Sequence, residues 1–174
     1  MTTQWSLIKT KIIKMKLGAI EKGYYGSLIT EEIFIRNGFN VFKPSMENGK
    51  VDMIVEKNNI YLKLQIKTVQ SNKEGKKFIP IRKVNHNGTG YKITLYTSDI
   101  IDYFIGIDIE TKDIYIIPIT FLSKYKNTIS IKVIEQFKNN FSLMELYNGN
   151  IINGEDDIDE LLTGNADDNI EGTE

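Results

Sequence analysis

The 174 residues, 41% of them hydrophobic and 10% aromatic, hold enough apolar material for one core and one functional unit. Cysteine is absent and His86 is the single histidine, which excludes disulfides, thiolate nucleophiles and a histidine- or thiolate-rich zinc centre. The net charge of −1 hides an asymmetry. Nine of the 23 acids lie after residue 149, where there is no Lys or Arg, so residues 1–149 set 22 bases against 14 acids, a balance suited to a polyanion whose phosphates release counterions when neutralised.

At the start, Trp5, Ile8, Ile12, Met15 and Ala19 recur at spacings of three and four, which predicts an amphipathic helix within residues 1–22. Lys9, Lys11, Lys14 and Lys16 interrupt it, so neither a secretory signal nor a membrane span is expected. The first acid is Glu21, and the basic start only faintly suggests a transit peptide because it lacks arginines; an intracellular location (cytoplasm, nucleoid or nucleus) is expected. Gly23 and Gly26 punctuate the chain, and a second helix follows through Leu28, Ile29, Ile33 and Phe34 until Asn37-Gly38 ends it. Residues 39–44 read as a short strand and residues 46–50 as a loop.

The stretch Val51 to Lys67 alternates in two runs. Val51, Met53 and Val55 interleave with Asp52, Ile54 and Glu56, then Leu62, Leu64 and Ile66 with Tyr61, Lys63, Gln65 and Lys67. Asn58-Asn59 supplies a two-residue turn, since asparagine tolerates positive φ. That turn pairs Val55 with Leu62, Met53 with Leu64 and Val51 with Ile66, giving one apolar face, and sets Asp52 opposite Gln65; a slip of one residue would mix the faces.

Residues 70–90 are polar and carry Lys73, Lys76, Lys77, Arg82 and Lys83, candidates for gripping a nucleic-acid backbone, with residues 85–90 expected as a loop. His86, between two asparagines, reads as an ordinary loop residue. Strands follow at 91–96, 104–109 and 114–119, and helical segments close the fold near Tyr147. No repeat is present. The organisation expected is one domain over residues 1–149 and an acidic flexible tail over 150–174, which solubilises, folds onto the protein's own basic face, or binds a protein partner through Ile158, Leu161 and Leu162.

Asp52, Gln65 and Lys67 thus place a carboxylate, a carbonyl oxygen and an ammonium on one side of a hairpin. Phosphodiester hydrolysis needs a hard divalent cation held by oxygen ligands, for which Asp52, the Gln65 side-chain oxygen and the Ile66 backbone carbonyl qualify as metal ligands. Lys67 would position water or stabilise charge on the phosphate.

This arrangement resembles the PD-(D/E)XK nucleases, in particular the branch in which glutamine replaces the motif glutamate, as in some group I intron-associated homing endonucleases. The pieces that carry the resemblance are the helix and glycine of residues 26–39, Val51-Asp52-Met53-Ile54-Val55, Leu64-Gln65-Ile66-Lys67-Thr68, and residues 96–118 with Asp99, Asp102 and Tyr115-Ile116-Ile117-Pro118. It implies an α/β fold with a central mixed sheet flanked by helices, Mg2+ or Mn2+ as cofactor, DNA as substrate, and endonuclease activity of homing or restriction type. Cutting both strands of a duplex implies a homo-oligomer, dimer or tetramer. The family places a glutamate after a glycine in the leading helix, whereas Ser27 follows Gly26 here; Glu31, one turn on, is the candidate to replace it. The alternatives are a junction-resolving nuclease of the same fold and a DNA-binding or assembly module that has lost catalysis.

Overall fold

A computed structural model describes residues 17–45, 49–88 and 90–145. Most of the expected N-terminal helix and all of the acidic tail lie outside those residues. The order is helix α1 (Ala19–Arg36), strands β1 (Asn40–Phe42), β2 (Met53–Lys57), β3 (Ile60–Thr68), β4 (Gln70–Ser71), β5 (Lys77–Pro80), β6 (Arg82–Asn87), β7 (Gly90–Leu95), β8 (Tyr103–Ile107) and β9 (Ile114–Pro118), then a 3₁₀ segment (Ile119–Lys124), β10 (Thr128–Ser130), a second 3₁₀ segment (Ile131–Phe137) and the single-turn α2 (Ser142–Glu145). Five strands form a mixed sheet in the order β1-β2-β3-β8-β9, antiparallel except for the parallel pair β3–β8. The expected α/β core with a mixed sheet is present.

The hairpin of β2 and β3 has the register that the apolar alternation requires, with Met53 opposite Leu64, Val55 opposite Leu62 and Lys57 opposite Ile60. Asn58 and Asn59 both have positive φ, 56° and 64°, the conformation of a type I′ turn. Alanine at position 59 would hold a left-handed backbone without asparagine's tolerance for it, at a cost of about 1 kcal/mol. Asn59→Ala is therefore expected to lower the urea midpoint without changing the denaturant slope.

Helix α1 runs unbroken through Gly23 and Gly26, correcting the expectation that these glycines interrupt the chain. It starts at residue 19, so Glu21 belongs to its first turn, where the carboxylate accepts the Gly18 N–H at 2.6 Å. Gly26 is buried, and a Cβ there would lie 2.6 Å from Thr68 Cγ2 and 3.0 Å from Ile107 Cγ2. Its role is close approach of the helix to β3 and β8. At the other end of α1, Phe34 is wholly buried and meets the Phe39 and Phe141 rings edge-on at 5.3 and 5.6 Å. Every residue of β8 and β9 is buried, which is why Tyr103–Ile107 and Ile114–Pro118 read as continuous apolar runs without alternation.

The polar stretch after residue 69 holds more regular structure than its composition suggests. Strands β4, β5 and β10 form a small sheet, and β6 with β7 forms a separate two-stranded ribbon. His86 lies in β6 opposite Tyr91, so the loop expected over residues 85–90 contracts to the tip between Asn87 and Gly90. The small sheet covers the main sheet at Gly106, where a Cβ would clash with Ile79 Cδ1. It packs on the side opposite α1, because Gly106 and Ile107 point to opposite faces of β8.

Candidate active site

Asp52 precedes β2 by one residue, and its N–H donates to the Leu64 carbonyl at 2.8 Å, which carries the hairpin ladder one step further. Its carboxylate Oδ2 accepts hydrogen bonds from Gln65 Nε2 and from the Ile66 N–H, the latter at 2.8 Å. Gln65 is 2% exposed, and its Nε2 also stands 3.3 Å from the Ile66 carbonyl oxygen. A buried amide is tolerated here, beside the apolar Phe104, because its Nε2 has polar partners. The electropositive NH2 of Gln65 sits between a carboxylate oxygen and a backbone carbonyl oxygen, the two groups that a hard cation would seek. Turning the amide about its last bond presents Oε1 to the same place, giving three oxygens of different origin. These residues therefore fit a divalent ion, with Asp52 as the anionic member.

Lys67 is half-buried, two residues beyond Gln65 and on the same side of β3, with Gly106 as its neighbour on β8. Tyr96 closes this side of the sheet. It is 9% exposed, its ring meets Phe104 at 5.7 Å, and its hydroxyl is buried without a hydrogen-bond partner. Burial, and next the Asp52 charge, raise its phenol well above the ordinary tyrosine value, so it remains a neutral donor. Sequence reasoning missed Tyr96. The alternation put it at the end of a strand, and nothing in the spacing connects residue 96 with residue 52.

Glu31 lies on α1, partly exposed, and its carboxylate is ion-paired with Lys43, just beyond β1. Ser27, one turn before it, is half-buried. Among the described residues no group of three or more His, Cys, Asp or Glu side chains could hold a metal, so the acidic content near Asp52 is low.

The basic candidates divide into two kinds. Lys73 and Lys76 are exposed in the turn before β5, Lys76 pairing with Glu74 at 2.9 Å, and Arg82 and Lys83 open the β6–β7 ribbon. Lys77 differs: its ammonium is 2.5 Å from Asp108, itself buried, and 3.8 Å from Glu110. The hydrogen bond that it donates to the Asp108 carboxylate comes first among the causes that raise its pKa. Lys77→Met would leave a buried carboxylate without its cation, so about 2 kcal/mol of stability should go, whereas Lys73→Ala should leave stability within about 0.5 kcal/mol. Thermal melts of the two variants check this.

Comparison with solved structures finds a bacterial homing endonuclease, I-Ssp6803I, with a TM-score of 0.59 and 22% identity over 63% of this chain and 74% of that one. At that identity the match speaks for the fold. Comparison with curated proteins gives no match. A family model described as PD-(D/E)XK endonuclease matches residues 26–148, a span that holds the α1 glycine, Asp52, the Gln65-Ile66-Lys67 segment and all of the mixed sheet; the chain belongs to the PD-(D/E)XK endonuclease family.

Proposed function

We propose that the protein is a divalent-metal-dependent DNA endonuclease of homing or restriction type, hydrolysing phosphodiester bonds at the Asp52–Gln65–Lys67 cluster. The observation that carries the reading is the convergence of the Asp52 carboxylate and the Ile66 carbonyl on the Gln65 amide, with Lys67 next along the same side of the strand. Asp52, Gln65 Oε1 and the Ile66 carbonyl would hold Mg2+ or Mn2+, which when bound polarises the phosphate and favours ionisation of water. Lys67 contributes a fixed positive charge toward the non-bridging phosphate oxygens as negative charge grows there. In the net reaction a water oxygen joins phosphorus, the bond to the leaving sugar oxygen breaks, and that oxygen gains a proton. Glu31 adds a carboxylate if it exchanges Lys43 for the metal site.

DNA binding is assigned to Lys73, Lys76, Arg82 and Lys83, with Lys77 chiefly supporting the fold. A two-stranded ribbon such as β6–β7 is a shape that a major groove admits. Cutting two strands calls for a homo-oligomer. A second reading, a DNA-binding module without catalysis, is favoured by the low acidic content around Asp52 and by Ser27. Plasmid, linear duplex and four-way junction, each incubated with and without Mg2+ or Mn2+, test the proposal. Metal-dependent cutting of duplex supports it, cutting confined to the junction supports the junction-resolving alternative, and binding without any cutting supports the silent module.

A further inference from the structure

The β6–β7 ribbon forms a sheet of its own and is rooted in the body by Ile81 and Tyr96, both buried. Two apolar side chains between those anchors stand uncovered. Ile93 is 42% exposed and Leu95 52% exposed. They are two apart on β7 and so point to one face of the ribbon, and Arg82, the cross-strand partner of Leu95, shares that face. A single apolar residue on a surface needs no explanation, but a pair on one face of an arm, beside an arginine, has the character of a contact surface.

We infer that Ile93 and Leu95 read thymine, each lying against the C5 methyl group of a thymine in the major groove while Arg82 binds a phosphate of the same duplex. The inference rests on the endonuclease reading above, which supplies DNA as the ligand. Continuity with the reacting cluster favours DNA as the occupant: Leu95 is followed by Tyr96, whose ring meets Phe104, the neighbour of Gln65 in the sheet. A duplex lying across that cluster also lies along the ribbon. Charge favours DNA over a second copy, since residues 1–149 carry 22 bases against 14 acids and Arg82 stands in the patch itself. Within a duplex the thymine methyl is the apolar group on a base edge, and only the major groove displays it. The spacing agrees. Residues two apart on a strand are separated by about 6.7 Å, which matches two base steps at about 3.4 Å each.

The test uses the full chain and the double variant Ile93→Ala, Leu95→Ala. Duplexes that the parent enriches from a randomised pool in Ca2+ are remade with deoxyuridine for thymine, which removes the methyl and leaves the pairing edge unchanged. Parent affinity is expected to fall about fourfold at each of two positions two steps apart, the loss that follows from one buried methyl group. The double variant is expected to keep the parent's melting temperature, to bind the thymine duplex about tenfold more weakly, and to bind thymine and deoxyuridine duplexes alike. Equal parent affinity for the two duplexes overturns the inference, and that comparison needs no variant to fold. A double variant that still favours thymine overturns it as well, as does a pool that yields no enriched duplex. So does a double variant that falls to a smaller oligomer in sedimentation while keeping the parent's affinity, since the patch then seats a second copy. Cleavage in Mg2+ is scored apart from affinity. A parent that cuts but ignores the methyls overturns the inference alone, whereas a parent that cuts nothing and still responds to them overturns the endonuclease reading alone.

Discussion

Asp52→Asn is expected to lower metal-dependent cleavage about a thousandfold while the protein stays folded and binds DNA in the absence of metal within about threefold of the parent. Asparagine is the informative replacement because of what the carboxylate holds. Oδ2 accepts from both Gln65 Nε2 and the Ile66 N–H, and alanine would leave those two donors unpaired at about 1–3 kcal/mol each. The asparagine oxygen retains an acceptor, so the loss of charge is isolated from the loss of fold. Asp52 is the anionic member of the proposed ligand set, and a neutral oxygen binds a hard cation much less well. Single-turnover cleavage with a melting curve on the same sample measures both effects. Cleavage within tenfold of the parent would remove Asp52 from the metal site, and a large drop in melting temperature would assign its role to the hairpin.

Gly26→Val should destabilise the protein by about 3 kcal/mol, against the direction expected from helix propensity alone. Valine is a somewhat better helix former than glycine, by a few tenths of a kcal/mol, and α1 would gain that much. The opposing effect is larger. Even a Cβ would stand 2.6 Å from Thr68 Cγ2 and 3.0 Å from Ile107 Cγ2, and both contacts come from β-branched side chains on sheet strands, which have little rotamer freedom to retreat. The helix must lift from β3 and β8, loosening the packing on the strand that carries Gln65 and Lys67. Chemical denaturation measures the change, and a variant as stable as the parent would mean that α1 is not seated as closely as its glycine suggests. Gly23→Ala, where nothing lies within 4 Å of the added carbon, should instead stabilise by up to about 1 kcal/mol.

The hairpin that presents Asp52 and Gln65 was legible because two patterns agree on it: a turn of two asparagines fixes the count, and the count segregates apolar from polar side chains. Strands β8 and β9 were legible by length and content. The unbroken course of α1 was not, because the reason for Gly26 lies in Thr68 and Ile107, which are distant in sequence. Likewise the lysines of residues 73–83 look alike in sequence, and only the buried Asp108 sets Lys77 apart. Tyr96 belongs to the same class. Its place beside Asp52 depends on how β8 is inserted next to β3, a pairing between segments separated by the small sheet and the ribbon.

That parallel pairing has a consequence for how such a protein changes over time. Strand β3 ends at Thr68 and its neighbour β8 starts at Tyr103, so everything between them is an excursion that leaves the sheet and returns to the same seam. The Asp52, Gln65 and Lys67 side chains all precede the excursion. Residues 82–95 of the ribbon can therefore be lengthened, shortened or exchanged at little cost to the cutting chemistry, provided the return path still delivers Tyr96 and the strand after it. If the ribbon reads the target and the Asp52 cluster cuts it, as proposed, the two are inherited separately, and a ribbon grafted from one such protein onto another would give a new address to the same blade.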